Sequence, residues 1–285
     1  MILLRPKQWV KNLFVIVPLL FSRKLFFLRD FSRSFAVFVL FCCVSSAVYI
    51  LNDIEDAPLD KLHPTKKKRP IASGQVSVRL SYFLFFTLLI VSFVGSLLLS
   101  WYVFICFLIY VLLNVFYTFR GKKMILVDVF CIAAGFAMRV MAGSYVLNLS
   151  PSAWLIISTF FLSLFLGFSK RKAELTVSGE NNHGQRPLLR LYDANLLTSV
   201  IVSTGTASIV FYALYTLDNR TVQQFGTDKL YLTVPFVCYG VFRYMLLSML
   251  SGQEDPTDIL VKDKGLWIAI GLWFLTVMLV LYTGR

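Results

Sequence analysis

The feature that most restricts this chain is a succession of apolar runs, each long enough to cross the roughly 30 Å hydrocarbon core of a bilayer. They fall near residues 10–28, 32–51, 79–99, 101–119, 126–147, 152–169, 196–217, 229–250 and 265–283. In lipid a crossing segment must satisfy its own backbone N–H and C=O groups, which for runs of this length means a helix. Composition agrees, with 58% hydrophobic and only 15% charged residues, against roughly 25% charged in soluble domains. The expectation is an all-α polytopic membrane helix bundle of nine transmembrane helices, a single integral-membrane domain over 1–285. The first run is the weakest, because its apolar core "LFVIVPLLF" is short and carries Pro18. It reads either as a crossing or as an interfacial segment. No small-residue cleavage site follows it, which argues against a signal peptide.

Basic residues orient the bundle, since Lys and Arg are retained on the cytoplasmic side. With the N-terminus inside, nineteen Lys and Arg lie on the cytoplasmic face and seven on the other. That places the N-terminus and the long polar connections in the cytoplasm; the membrane itself is expected to be the plasma (inner) membrane. The net charge of +13 is accounted for by topology and anionic head groups, not by nucleic acid. The five cysteines all sit in apolar runs without metal or disulfide spacing and read as small hydrophobes.

The long polar segments, 52–78 and 170–195, lie four spans apart, which hints at two four-helix units. The first holds "NDIEDAPLDKLHPTKKKRPIASG". Asp53, Asp56 and Asp60 are three and four residues apart, so a helix continuing from the second span lines them along one face. Pro58 interrupts that reading, because it removes a backbone donor and kinks the helix or starts a new turn. Three neighbouring carboxylates repel unless something positive lies among them, and a hard divalent cation is one answer. A solvated acidic turn balanced by lysines is the other. Magnesium takes one or two carboxylates and completes its shell with water and phosphates, so the motif suggests a phosphorylated substrate. The basic run beyond it suits phosphate, with Arg for bidentate contacts and Lys as a point charge. His63, before a proline, reads as a turn residue.

At these residues the chain resembles the UbiA superfamily of integral-membrane transferases, whose N-D-x-x-D-x-x-x-D signature is matched by Asn52, Asp53, Asp56 and Asp60. The segments "RPKQWVKN", "HPTKKKRPIASG", "YTFRGKKMILVDVFCIAAGFAMR", "SKRKAEL" and "DPTDILVKDK" together resemble its decaprenyl-phosphate phosphoribosyltransferase branch. The resemblance implies nine helices around a central cavity open to the cytoplasm, with Mg²⁺ as cofactor on Asp53, Asp56 and Asp60. It implies transfer of the phosphoribosyl group of 5-phosphoribosyl 1-diphosphate to a polyprenyl phosphate, with release of diphosphate. The same signature serves prenyltransferases that move an isoprenyl group from its diphosphate to an aromatic acceptor. One departure is "YTFRGK", with Thr118 and Gly121 where the branch has Ser and Leu; Tyr117, Lys122 and Asp128 keep their spacing, and the resemblance implies that they bind substrate, as does Arg139.

Given that chemistry, Asn52, Asp53, Asp56 and Asp60 are the candidate catalytic residues, holding metal against the donor diphosphate. Lys66, Arg69, Lys170 and Arg171 are candidates for the donor phosphates. Lys7, Lys11 and Asn12 are candidates for the lipid phosphate or another anion near the first span, with topological anchoring as the alternative. Arg139 lies deep in a span, where a charge is costly and faces the bundle interior; it is expected to line the cavity, with Gly135 and Gly143 alternatively serving close helix packing. Arg243 has no role derivable from sequence. Asp255, Asp258 and Asp263 read as a solvated connector. A transporter is the reading from another class, but polar residues concentrate at one face here instead of breaking paired helices at the midplane. A homo-oligomer is left open by the sequence.

Overall fold

The structure, a computed structural model, describes residues 2–62, 66–178, 192–251, 259 and 262–283. Among these residues the regular elements are helical: α1 (Val17–Phe21), α2 (Leu28–Asp60), α3 (Val78–Leu99), α4 (Trp101–Phe119), α5 (Val127–Val146), α6 (Ala153–Ser178), α7 (Ala194–Leu217), α8 (Asn219–Phe225), α9 (Val234–Ser251) and α10 (Lys264–Met278), with short 3₁₀ turns between them. Eight segments of the described residues are long and apolar enough to cross a membrane. The chain forms two compact units, Met1–Pro151 and Ser152–Arg285, each carrying four of those eight.

In the first unit α2 and α5 are central, buried over 61% and 67% of their apolar stretches, whereas α3 is buried over 17%. Lipid is as apolar as leucine, so helices associate through close packing and small residues. On α3 the buried positions are Ser81, Phe85, Ser92 and Ser96, one stripe at helical spacing. Gly95 extends that stripe: a Cβ there would stand 2.7 Å from the Leu40 side chain of α2. Phe41, Phe107 and Tyr110 fill the space between α2 and α4, with Phe41 4.3 Å from the Phe107 ring and 5.5 Å from that of Tyr110.

The first predicted span takes a different form from the expected helix. Pro6–Val15 is a 3₁₀ helix, followed by the five-residue α1, and α2 already begins at Leu28. At about 2.0 Å rise per 3₁₀ residue and 1.5 Å per α residue, the two pieces together extend nearly the thickness of a bilayer core. Their ends agree: Arg5 bonds Asp53 near the end of α2, while Lys24 donates to the Leu147 carbonyl at the far end of α5. The segment is therefore a slim broken rod laid along α2 and α5. Asn12 Nδ2 donates to Ser45 Oγ at 3.1 Å, and Trp9 Nε1 to Ser46 Oγ at 3.1 Å. Gly143 makes room for it, since a Cβ there would lie 2.1 Å from the Val15 carbonyl oxygen. We expect Gly143→Ala to force the rod off α5 at a cost of about 1–3 kcal/mol, typical of overpacking. A lower melting temperature in detergent checks this, with Gly271→Ala, which meets open space, as the control.

The second unit pairs α6 with α7, where Gly205 lets Phe165 approach a would-be Cβ at 3.1 Å and Ser158 Oγ donates to the Ser208 carbonyl at 3.1 Å. Asp193 caps α7 through the amides of Asn195 and Leu196. Tyr212, fixed by Trp273 Nε1 at 2.8 Å and by Thr233 at 2.7 Å, ties α7 to α10. Arg243, which had no role in the sequence, grips Asp263 with Nε at 3.3 Å and Nη2 at 2.9 Å. Asp263 also caps α10 through the Leu266 amide. The Arg243 hydrogen bond, aided by that amide, holds the Asp263 carboxyl below the usual carboxylate range. Asp263 is thus a helix cap and ion-pair partner, not merely part of a solvated connector. Asp255 and Asp258 lie outside the described residues.

Candidate active site

The acidic motif is helical throughout, because α2 continues through Pro58 to Asp60. Proline leaves the carbonyl one turn before it without an amide partner, yet the helix keeps register. Asp53 and Asp60 are accordingly on one buried face, at 4% and 5% exposure, while Glu55 points outward. After α2 the chain reverses, and Ile71 packs in one cluster with Leu3, Ile50 and Ala57, with Ala72 buried beside it in sequence. Gly74, at φ 79°, takes a left-handed turn that a side chain disfavours. This return brings Arg69 back over the helix. Its Nη1 lies 3.1 Å from Asp53 Oδ1 and 2.6 Å from Asp60 Oδ2.

Two further cations complete the cluster. Arg5 bonds Asp53 and stacks over Tyr49 at 5.1 Å. Lys122 Nζ lies 2.6 Å from Asp56 Oδ1 and 3.4 Å from Asn52 Oδ1, and Asn52 Nδ2 donates to Asp56 Oδ2 at 3.0 Å. The 3₁₀ turn Gly121–Lys123 between α4 and α5 aims Lys122. Gly121 is buried there, a would-be Cβ meeting Phe116 at 3.3 Å and Cys131 at 3.4 Å, so a leucine would require its neighbours to move. The departure from the family pattern at this residue is thus a packing adjustment that leaves Lys122 on the acidic face.

The carboxylates do not all converge on one point. Asp53 and Asp60 close on one positive atom and Asp56, with Asn52, on another; among the described residues no group of three His, Cys, Asp or Glu is placed to hold one metal ion. The three carboxylates expected to hold metal stand in a two-plus-one arrangement, with Asp56 drawn aside to Lys122. The residues still fit magnesium: a positive atom between Asp53 and Asp60 marks where two hard oxygen donors meet, and one or two carboxylates suffice when phosphates and water complete the shell.

The remaining candidates divide by burial. Lys7 is exposed; Lys11, Lys66 and Tyr117 are half-buried. Asp128 is fully buried in the first turn of α5. Asn12 is fully buried as well, its amide bonded to Ser45, Cys42 and Arg139, so it is a packing residue with no face for a lipid phosphate. Arg139 is only 4% exposed. It donates to Asn12 Oδ1 and the Gly135 carbonyl, both at 2.8 Å, and to Tyr110 Oη at 3.0 Å, and it lies against the rings of Phe41, Tyr110 and Phe136. Its charge is met by neutral groups within the first unit. Lys170 and Arg171 belong to the second unit; Arg171 is buried and paired with Glu174. His63, Arg186 and Arg190 lie outside the described residues. Sequence reasoning did not single out Arg5; its one signal was the position before Pro6, where proline disfavours a helical backbone, and it adopts φ 50°.

The family model described as UbiA prenyltransferase family matches residues 15–174. A decaprenyl-phosphate phosphoribosyltransferase of Corynebacterium glutamicum is 31% identical over 287 residues, covering 98% of this chain and 85% of that protein. The one from Mycolicibacterium smegmatis is 29% identical over 293 residues, covering 98% of this chain and 91% of its own. Among solved structures, a UbiA homolog from Archaeoglobus fulgidus bound to DMAPP and Mg²⁺ has a TM-score of 0.73 at 16% identity, covering 98% of this chain and 97% of that one; the likeness concerns the fold. With the motif on α2 and this agreement over most of the length, the chain belongs to the UbiA prenyltransferase family.

Proposed function

We propose that the protein transfers the 5-phosphoribosyl group of 5-phosphoribosyl 1-diphosphate to a polyprenyl phosphate, in a Mg²⁺-dependent reaction at the cytoplasmic face of the plasma membrane, releasing diphosphate. The observation that carries this reading is the cluster at the end of α2, where three carboxylates and three cationic side chains meet beside a greasy bundle. The named relatives supply the substrate class.

The donor is water-soluble and strongly anionic, and the acceptor is a lipid whose tail stays in hydrocarbon. A charged cluster at a helix end serves both. Magnesium, held by Asp53 and Asp60 with Asp56 and Asn52 beside them, supplies charge neutralisation for the leaving diphosphate. Arg69, Arg5 and Lys122 are placed to hold donor phosphates, with Lys66 on the adjoining turn; Lys7 and Lys11 are proposed for the acceptor phosphate. That phosphate is already ionised at neutral pH, so no general base is needed and rate comes from positioning and electrostatics.

Purified protein given labelled phosphoribosyl diphosphate and polyprenyl phosphate is expected to move label into the organic phase only when Mg²⁺ is present. Label that stays aqueous, with isoprenyl transfer from its diphosphate to an aromatic acceptor instead, would assign the chain to the prenyl-transferring branch.

A further inference from the structure

The acidic face of α2 is already closed by cations of the protein itself. Arg69 bridges Asp53 and Asp60, Arg5 holds Asp53, and Lys122 holds Asp56. The groups proposed for metal and the groups proposed for phosphate are thus bonded to each other. Three side-chain cations face three carboxylates, and Asp53 and Asp60 are nearly buried, where an uncompensated charge costs far more than in water.

We infer that substrate loading is an exchange of partners: Arg69 and Lys122 leave the α2 carboxylates for the donor's phosphates as divalent metal takes the place of Arg69 on Asp53 and Asp60 and of Lys122 on Asp56. This rests on the proposed phosphoribosyl-transfer reading and adds to it a coupling between the two ligands. A divalent ion arriving alone must displace Arg69 and leave its guanidinium without a counter-charge. A donor arriving alone must draw Arg69 away and leave two carboxylates facing each other. When both arrive, each displaced group has a new partner and the local charge stays near balance. Metal and donor therefore bind with positive cooperativity, and in their absence the internal cations compete with metal while the internal carboxylates compete with phosphate. The competition also keeps the site closed to metal when no donor is present.

Deleting an active-site cation must therefore improve metal binding, and deleting a carboxylate must improve donor binding without metal. The test uses the full-length protein in detergent and needs no turnover. Mn²⁺ alone, titrated by the loss of its free paramagnetic resonance signal, is expected to bind Arg69→Gln at least about fivefold more tightly than wild type, the lower end of typical coupling between sites. Lys122→Gln, which frees Asp56, reads the same competition at the second position if the first variant does not fold. In EDTA, labelled phosphoribosyl diphosphate alone is expected to bind Asp53→Asn more tightly than wild type by a similar factor. Mn²⁺ binding equally or more weakly to the folded Gln variants than to wild type overturns the exchange and leaves the magnesium reading standing. Absence of Mn²⁺ binding in wild type and both variants overturns the magnesium reading and the exchange together.

Discussion

Asp53→Asn is expected to lower phosphoribosyl transfer by about 10²–10³-fold, the loss usually seen when one pre-placed electrostatic group is removed from a reaction centre. The substitution keeps shape and removes charge. It takes away one of the two carboxylates that meet at Arg69 Nη1, so the oxygen donors there fall from two acids to one. Folding should survive, because the cations it strands retain other partners: Arg69 keeps Asp60 and Arg5 keeps the Tyr49 ring. The measurement is kcat with labelled donor, accompanied by a melting curve. Glu55→Gln is the control, two residues away on the exposed side of α2, and should leave kcat unchanged. Substantial transfer by the folded Asn variant would remove Asp53 from the chemistry. The same variant should bind donor better in EDTA, so its losses and gains separate two roles that activity alone would merge.

Arg139→Ala is expected to be the most destabilising single change in the first unit, at least about 3–5 kcal/mol, because three orphaned polar partners at about 1–3 kcal/mol each reach that range before the cavity between helices is added. The guanidinium satisfies Asn12, Gly135 and Tyr110 and fills the space among three rings. Those partners are neutral, so the loss is of hydrogen bonds and packing and not of a counter-ion. A fall in melting temperature on the order of 10 °C follows from that energy for a chain of this size. Arg139→Lys should recover only part of it, because an ammonium cannot reproduce three bonds from a planar fork. Transfer activity should fall alongside, since Asn12 fixes the rod that carries Arg5 to Asp53. An alanine variant that melts with wild type would show that Asn12 and Tyr110 are satisfied some other way.

Part of the site was legible because its spacing is a property of a single helix. Asp53 and Asp60 share a face of α2 through 3.6-residue periodicity, and the helix runs through Pro58 to Asp60 without losing that register. Arg69 was legible as a phosphate candidate from the basic run. Its bond to both carboxylates was not, because that depends on how Ile71, Ala72 and Gly74 turn the chain back. Arg5, and the pairing of Lys122 with Asp56, were hidden for a similar reason: Arg5 and Lys122 are 48 and 66 residues from their partners. The burial of Asn12 was not legible either, because its bond to Arg139 comes from a residue far along the chain.

Local chemistry alone determined the membrane setting, the helical class and the acidic face, since each follows from run length, backbone hydrogen bonding in lipid or helical period. Tertiary structure decided which charges meet. It turned the first span into a slim 3₁₀ rod where Gly143 admits the Val15 carbonyl, and split the carboxylates between Arg69 and Lys122. The physical reason is range: a hydrogen bond within a helix is set by residues a turn apart, but a buried ion pair is set by the packing that brings distant segments within about 3 Å.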